Sequence, residues 1–226
     1  MTYYVRKLPS DVFGLEYRPT LEPTLSDARD HFMELGFFRR PPTTFSANNA
    51  NLLREVLRSN REKIHCIMEI GVSRDGPGCT TDIFFEEKAP SCIYLGVDIQ
   101  NKKHLDDPTK GIHTIEAPSY ERDAILSELK RLWARSGRTG IDLLFIDGDH
   151  SVNTMINDWT FSEYVNEGGF VLVHDTNEHP GPTVVFDAIS EELFAKERHC
   201  VYEQDWGIAV IRRLATPVGG VSTVGS

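Results

Sequence analysis

Ile141–Thr176 reads IDLLFIDGDHSVNTMINDWTFSEYVNEGGFVLVHDT, and this stretch decides the fold. Two apolar runs, Leu143–Ile146 and Phe170–Val173, each stop abruptly in acidic and imidazole side chains. Asp147, Asp149 and His150 follow the first run; His174 and Asp175 follow the second. A buried strand that ends in carboxylates places charge at the carboxyl edge of a sheet, where open α/β folds hold their ligands. Two such strands joined by one helix form a parallel pair, so both acidic tips are expected on the same edge.

Working outward, apolar runs alternate with amphipathic ones from Lys63 onward. Strands are expected at Ile64–Ile70, Cys92–Val97, Ile112–Ile115, Leu143–Ile146 and Phe170–Val173. Helices are expected between them at Thr80–Glu87, Tyr120–Arg135, Thr154–Asn166 and Thr183–Ala195. In the second of these, Ile125, Leu129 and Leu132 recur at helical spacing. The alternation predicts an α/β fold, a Rossmann-like, doubly wound, mostly parallel seven-stranded sheet with helices on both faces. A last pair, Cys200–Glu203 and Gly207–Ile211, flanks a short Gln204–Trp206 turn and predicts an antiparallel C-terminal hairpin.

The expected organisation is an N-terminal helical cap over residues 1–60, a main domain over 61–213 and a flexible tail over 214–226. The cap is proline-rich, with helices read at Leu25–Leu35 and Ser46–Ser59, the latter capped by Ser46. Disorder competes with structure for residues 1–20.

The chain has 226 residues and a formal net charge of −10. Such a field repels a phosphate backbone, and Arg39–Arg40 and Lys102–Lys103 are too short to form a basic stripe. No nucleic-acid partner is expected. The four cysteines form no CxxC pair, and Cys66 and Cys92 read as small core residues. The N-terminus lacks the apolar core of a secretory signal, and no run reaches the ~18 apolar residues of a membrane helix. A reduced, cytoplasmic protein without a membrane partner is the expectation.

The first strand closes in Glu69-Ile70-Gly71, followed by the loop VSRDGPG. Gly71 permits close backbone approach, and the helix near Thr80 offers free N–H groups. Glycines at positions 71, 76 and 78 do not match GxGxxG, which argues against a pyrophosphate-binding dinucleotide site. The second strand ends in Asp98, where a carboxylate can accept hydrogen bonds from both ribose hydroxyls. An acidic pocket for a nucleoside without a pyrophosphate also suits a cationic ligand. S-adenosylmethionine, with its sulfonium and ammonium groups, meets both conditions.

MEIGV, YLGVDIQ and DLLFIDGDHS…EGGFVLVHDT together resemble the ordered motifs of class I S-adenosylmethionine-dependent methyltransferases. The likeness spans Ile64–Ile211 and is greatest to a branch containing small-molecule and sugar O-methyltransferases, some metal-dependent. It implies that Glu69, Gly71 and Ser73 shape the methionine end of the cofactor site. Asp98 would then hold the ribose, with Ser119 beside the adenine. Metal-dependent relatives place acidic residues at the positions of Asp147 and Asp175, which would clamp a divalent cation such as Mg²⁺ or Mn²⁺. Their third ligand falls at His174, where they carry an oxygen donor; imidazole suits Mn²⁺, Fe²⁺ or Zn²⁺ better than Mg²⁺. The alternative is a His174 turned away from the site, with no metal.

In the same resemblance His150 is the general base and Asp147 its catalytic companion. Asp149 reads better as a helix cap or an acceptor of neighbouring N–H groups than as a substrate contact, and His179 as a turn residue or part of the pocket mouth. The implied function is methyl transfer to a hydroxyl of a small molecule, a sugar or natural-product scaffold. Phe37, Phe38 and Phe45 would cover that acceptor or simply pack in the core. Homo-oligomerisation is left open. Asp147-Gly148-Asp149 also fits the DxD of metal-dependent glycosyltransferases, although the acidic loops offer no basic group for a diphosphate. A non-catalytic nucleoside-binding scaffold is the third reading.

Overall fold

The computed structural model describes residues 12–15, 47–72, 79–177, 179–200 and 206–215. Helix α1 (Ala47–Ser59) precedes β1 (Cys66–Ile70), α2 (Thr80–Glu87), β2 (Ile93–Asp98) and β3 (Ile112–Glu116). Then follow α3 (Arg122–Ser136), β4 (Ile141–Ile146), α4 (Val152–Trp159), β5 (Val165–His174), α5 (Pro180–Ala188), β6 (Phe194–His199) and β7 (Ile208–Arg213). The strands form one seven-stranded sheet in the order β3-β2-β1-β4-β5-β7-β6. The first five are mutually parallel, and β7 runs antiparallel to both β5 and β6. This is the expected Rossmann-like sheet with an antiparallel C-terminal hairpin.

β1 is buried along its whole length, as a central parallel strand covered on both faces must be. Its side chains alternate between two cores. Met68 and Ile70 join Leu144, Ile146 and Val171 under α3, α4 and α5, where Ile125, Leu129, Met155 and Val185 meet them. Ile67 joins Leu143, Phe145 and Leu172 on the other face, under Leu53 and Leu57 of α1 and Ile83 and Phe84 of α2. Period-two burial thus sets helices on both faces. Cys66 and Cys92 lie in these cores, and burial pushes both thiols up to about 12.

Two expected boundaries are corrected. The helix expected over Thr154–Asn166 stops at Trp159, tightens into a 3₁₀ turn over Thr160–Tyr164 and gives way to strand at Val165. Polar Asn166 and Glu167 and two glycines disguise that strand. Asn166 bonds to the Thr139 carbonyl (3.1 Å) and Asp142 (2.8 Å), and Gly168 takes a φ of 77° beside the register shift. The helix expected over Thr183–Ala195 starts early, with proline in its first turn, and ends at Ala188. Its expected last turn is instead part of edge strand β6. Lys196 on β6 satisfies the carbonyls of Phe186, Asp187 and Ile189 at the helix end. Among the described residues the hairpin pairs Phe194–His199 with β7. Residues 201–203, the Leu25–Leu35 helix, Ser46, Ser73, the cap phenylalanines and nearly all of the tail lie outside the described residues. Among the described residues no helix is long and apolar enough to cross a membrane.

Candidate active site

β4 and β5 are hydrogen-bonded neighbours in register, Ile146 opposite Val173, so Asp147 and His174–Asp175 emerge side by side at the carboxyl edge. The Asp147 N–H donates to the Ile70 carbonyl (2.8 Å), which ties the β4 tip to β1. Gly71, at φ 87°, sits where any Cβ would lie 2.1 Å from the Asp147 carbonyl oxygen. The close approach that demands glycine here is therefore chain against chain.

Nδ1 of His174 stands 3.1 Å from Oδ1 of Asp147 and 2.9 Å from Oδ1 of Asp175. One donor atom from each of the three lies within 4.8 Å of the others. His174 Nδ1 therefore faces both carboxylates. On its far side Nε2 is 3.3 Å from Nδ2 of Asn49 on α1. Burial opposes a charge on His174, but the charges and hydrogen bonds of Asp175 and Asp147 outweigh it and raise its pKa well above the ordinary histidine value. Asp175 is buried too; its two histidine neighbours overcome that burial and hold its carboxyl far below the usual range. Asp175 also takes a φ of 61°, the left-handed region that a non-glycine residue enters at a cost.

Nε2 of His150 is 2.6 Å from Oδ2 of Asp175, so the two oxygens of one carboxylate serve two histidines. Burial lowers the His150 pKa, but the Asp175 contact and charge raise it by more. The His150 ring stacks on His179 with centroids 4.0 Å apart, and His179 in turn tilts against Trp206 at 4.8 Å. Asp149 accepts from the Ser151 N–H (2.8 Å), and Ser151 caps α4. Asp147 and Asp149 thus face different partners, unlike a paired DxD.

Glu69 is fully buried, accepting hydrogen bonds from Thr80 (2.8 Å) and Thr81 (2.9 Å) in the first turn of α2 and a very short one from Tyr94. Burial pushes its carboxyl up to about 7. Glu69 thereby ties the β1 tip to the start of α2. Asp98 accepts from the Gln100 N–H (2.7 Å) at the tip of β2, two strands from β4. Ser119 is buried and accepts from Asn157 at 3.3 Å. Beside it, burial pushes Asp158 up to about 7 under Gly148. Asn49, Asp158 and Trp206 were not legible as site residues in the sequence, whereas His179 was read as a turn residue or part of the pocket mouth.

Residues 50–176 match the family model for a methyltransferase domain. A 53-residue stretch is 40% identical to uncharacterized protein R132 of Acanthamoeba polyphaga mimivirus, covering 23% of this chain and 24% of that protein. The fold is similar to MycE methyltransferase from the mycinamycin biosynthetic pathway, solved with Mg and SAH (TM-score 0.56, 18% identity). That alignment covers 90% of this chain and 57% of MycE, so this chain spans little more than half its length. The O-methyltransferase TomG from Streptomyces achromogenes, solved with SAM, aligns over 91% of this chain and 94% of its own (TM-score 0.53, 14% identity). An O-methyltransferase from Bacillus cereus, solved with SAH, aligns over 86% and 93% (TM-score 0.52, 14% identity). At such identities the structural likeness speaks for the fold, while the sequence match covers more than half of the chain: this protein belongs to the methyltransferase domain family.

Proposed function

We propose that this protein is an S-adenosylmethionine-dependent O-methyltransferase acting on a hydroxyl of a small sugar or natural-product molecule, assisted by a divalent cation. The observation that carries the reading is the convergence of Asp147, His174 and Asp175 at one sheet edge, with His150 on the other oxygen of Asp175. The donor set fits a cation. Ligands about 2.1 Å from a metal and at right angles to one another are about 3.0 Å apart, close to the 2.9 and 3.1 Å found. One imidazole with two carboxylates favours Mn²⁺ over Mg²⁺. A cation held there would lower the pKa of the acceptor hydroxyl and orient its oxygen.

S-adenosylmethionine, when bound, would supply the electrophilic methyl. Asp98 would hold its ribose and Ser119 would border the adenine, while Glu69, Gly71 and Ser73 would shape the methionine end. His150 takes the acceptor proton. Its Nε2 stands 2.6 Å from Oδ2 of Asp175, a carboxylate that would stabilise the imidazolium that forms. That MycE was also solved with Mg, SAH and mycinamycin VI supports a small-molecule acceptor.

The test is isothermal titration with S-adenosylmethionine, then mass-spectrometric detection of methyl transfer across a panel of hydroxylated acceptors with Mn²⁺, Mg²⁺ or chelator. Cofactor binding with cation-stimulated transfer is expected. Absence of cofactor binding overturns the reading; binding without transfer to any acceptor favours a scaffold.

A further inference from the structure

Helix α5 begins on a residue that does little for the helix. Its N-cap is His179, whose side chain makes no capping bond, although Asn, Asp, Ser and Thr are the residues that stabilise this position. Pro180 follows without an N–H, and the Gly181 N–H donates to the His150 carbonyl (3.0 Å). A Cβ at Gly181 would lie 2.3 Å from that oxygen, so only glycine lets the helix start come this close. The His179 N–H donates to the Asp175 carbonyl (3.2 Å). The start of α5 is thereby fastened to both loops, the one that carries His150 and the one that carries Asp175.

What the side chain of His179 withholds from the helix it gives to His150. The two rings lie face to face, centroids 4.0 Å apart and planes 18° from parallel. Behind His179, buried Trp206 tilts against it at 4.8 Å and closes the space into which that ring could retreat. The Trp206 carbonyl accepts from the Asn177 N–H (2.8 Å), which holds this backing in place. The His150 side chain is 29% exposed, and its contact with Oδ2 of Asp175, 2.6 Å from Nε2, fixes a single ring atom. The remainder of the ring can swing about that atom unless one face is braced.

We propose that His179 is a positioning residue for methyl transfer: its ring, backed by Trp206, sets the plane in which His150 meets the acceptor hydroxyl. The role in turnover rests on the reading of His150 as the base; the bracing of the ring does not. A misplacement of about 1 Å at a reacting group costs roughly 10²-fold in rate, so a ring free to swing is a poor base. Asparagine at 179 would improve the helix cap and remove the ring face. Phenylalanine would keep the face and remove the nitrogens. Stability and turnover are thus separable at this position.

The experiment compares full-length wild type, H179N, H179F and H179A. Its readouts are melting temperature, S-adenosylmethionine affinity by calorimetry, and Mn²⁺-supported methyl transfer to the hydroxylated acceptor that wild type turns over fastest. NMR of protein carrying ¹³C-labelled histidine, with His150 assigned through H150Q, follows the ring directly. H179N is expected to lower kcat by roughly 10–100-fold, with acceptor KM and cofactor affinity within about twofold of wild type. Its melting temperature equals or exceeds that of wild type, and H179F keeps most of the wild-type kcat. The His150 ring protons, displaced upfield by the stacked ring in wild type and H179F, move downfield in H179N and H179A. Wild-type kcat in H179N and H179A overturns the proposal, as does a folded H179F as slow as H179N. Unchanged His150 signals in H179N also overturn it. Should H179A fail to fold, H179N against H179F decides. Absence of methyl transfer in wild type overturns the functional reading, while the ring signals still decide whether His179 sets the plane of His150.

Discussion

Asp175 meets three demands at once: a left-handed backbone, complete burial and contact with two histidines. Strain of this kind costs roughly 1–3 kcal/mol and persists where the surroundings enforce it. Here its N–H donates to the Gly207 carbonyl (2.9 Å) and its own carbonyl accepts from His179, so backbone bonds hold it from both sides. The neighbouring side chains give separable predictions. Asp147→Ala removes one of three converging donors and lowers cation-stimulated turnover by roughly 100-fold or more, with the cation dependence abolished. His150→Ala lowers kcat by roughly 10²–10⁴-fold and leaves S-adenosylmethionine affinity within about twofold. Full turnover in that variant removes His150 from the mechanism. Asp98→Ala weakens cofactor binding by roughly 10–100-fold in calorimetry, the worth of a charged hydrogen bond; unchanged affinity contradicts the ribose assignment.

At the scale of elements, the site depends on where β1, β4 and β5 stop and on how α4 begins. Ser151 accepts from Thr154 N (3.3 Å) as the N-cap of α4, directly after His150. Ser151→Ala is expected to cost about 1 kcal/mol, read as a drop of about 2–4 °C in melting temperature. Gly71→Ala is more severe, because a left-handed residue and a contact with Asp147 backbone are both compromised. It is expected to cost at least ~2 kcal/mol and to weaken cation binding through the displaced Asp147. Wild-type stability in that variant would show that the two tips are not locked together. The central elements were legible because their apolar runs are long and their periods clear. β6 and the first half of β5 were not. FAKERH carries four charges or imidazoles, and VNEGG carries turn residues, so only pairing with β7 and β4 makes them strands.

For the whole molecule, buried carboxyls set how stability follows pH. Glu69 rises from 4.5 to about 7 on folding, and burial is the main cause. Its folded pKa lies above its unfolded one, so below 4.5 both states hold the proton. As pH climbs from 4.5 to about 7, the unfolded chain ionises first and gains stability relative to the fold. This single group therefore lowers folding stability by on the order of 3 kcal/mol across that window, with no further change above it. Asp158, rising from 3.8 to about 7, acts in the same direction. Glu69→Gln is expected to flatten that part of the pH–stability profile in urea melts at pH 4.5, 6 and 7.5. A profile as steep as wild type would mean that Glu69 is ionised inside the fold.

The amino-acid sequence alone determined the parallel sheet, its antiparallel end and the acidic tips of β4 and β5. Apolar period and strand-ending carboxylates are local features, and local patterns can be read from one chain. Tertiary structure decided which atoms meet. Asn49 lies 125 residues before His174 yet backs its ring, and His179 stacks on His150 from a helix start while Trp206 backs His179 from a strand entry. Such contacts arise from how helices and loops fold back over the sheet, and hydrophobic period carries no information about which polar atoms that folding brings together.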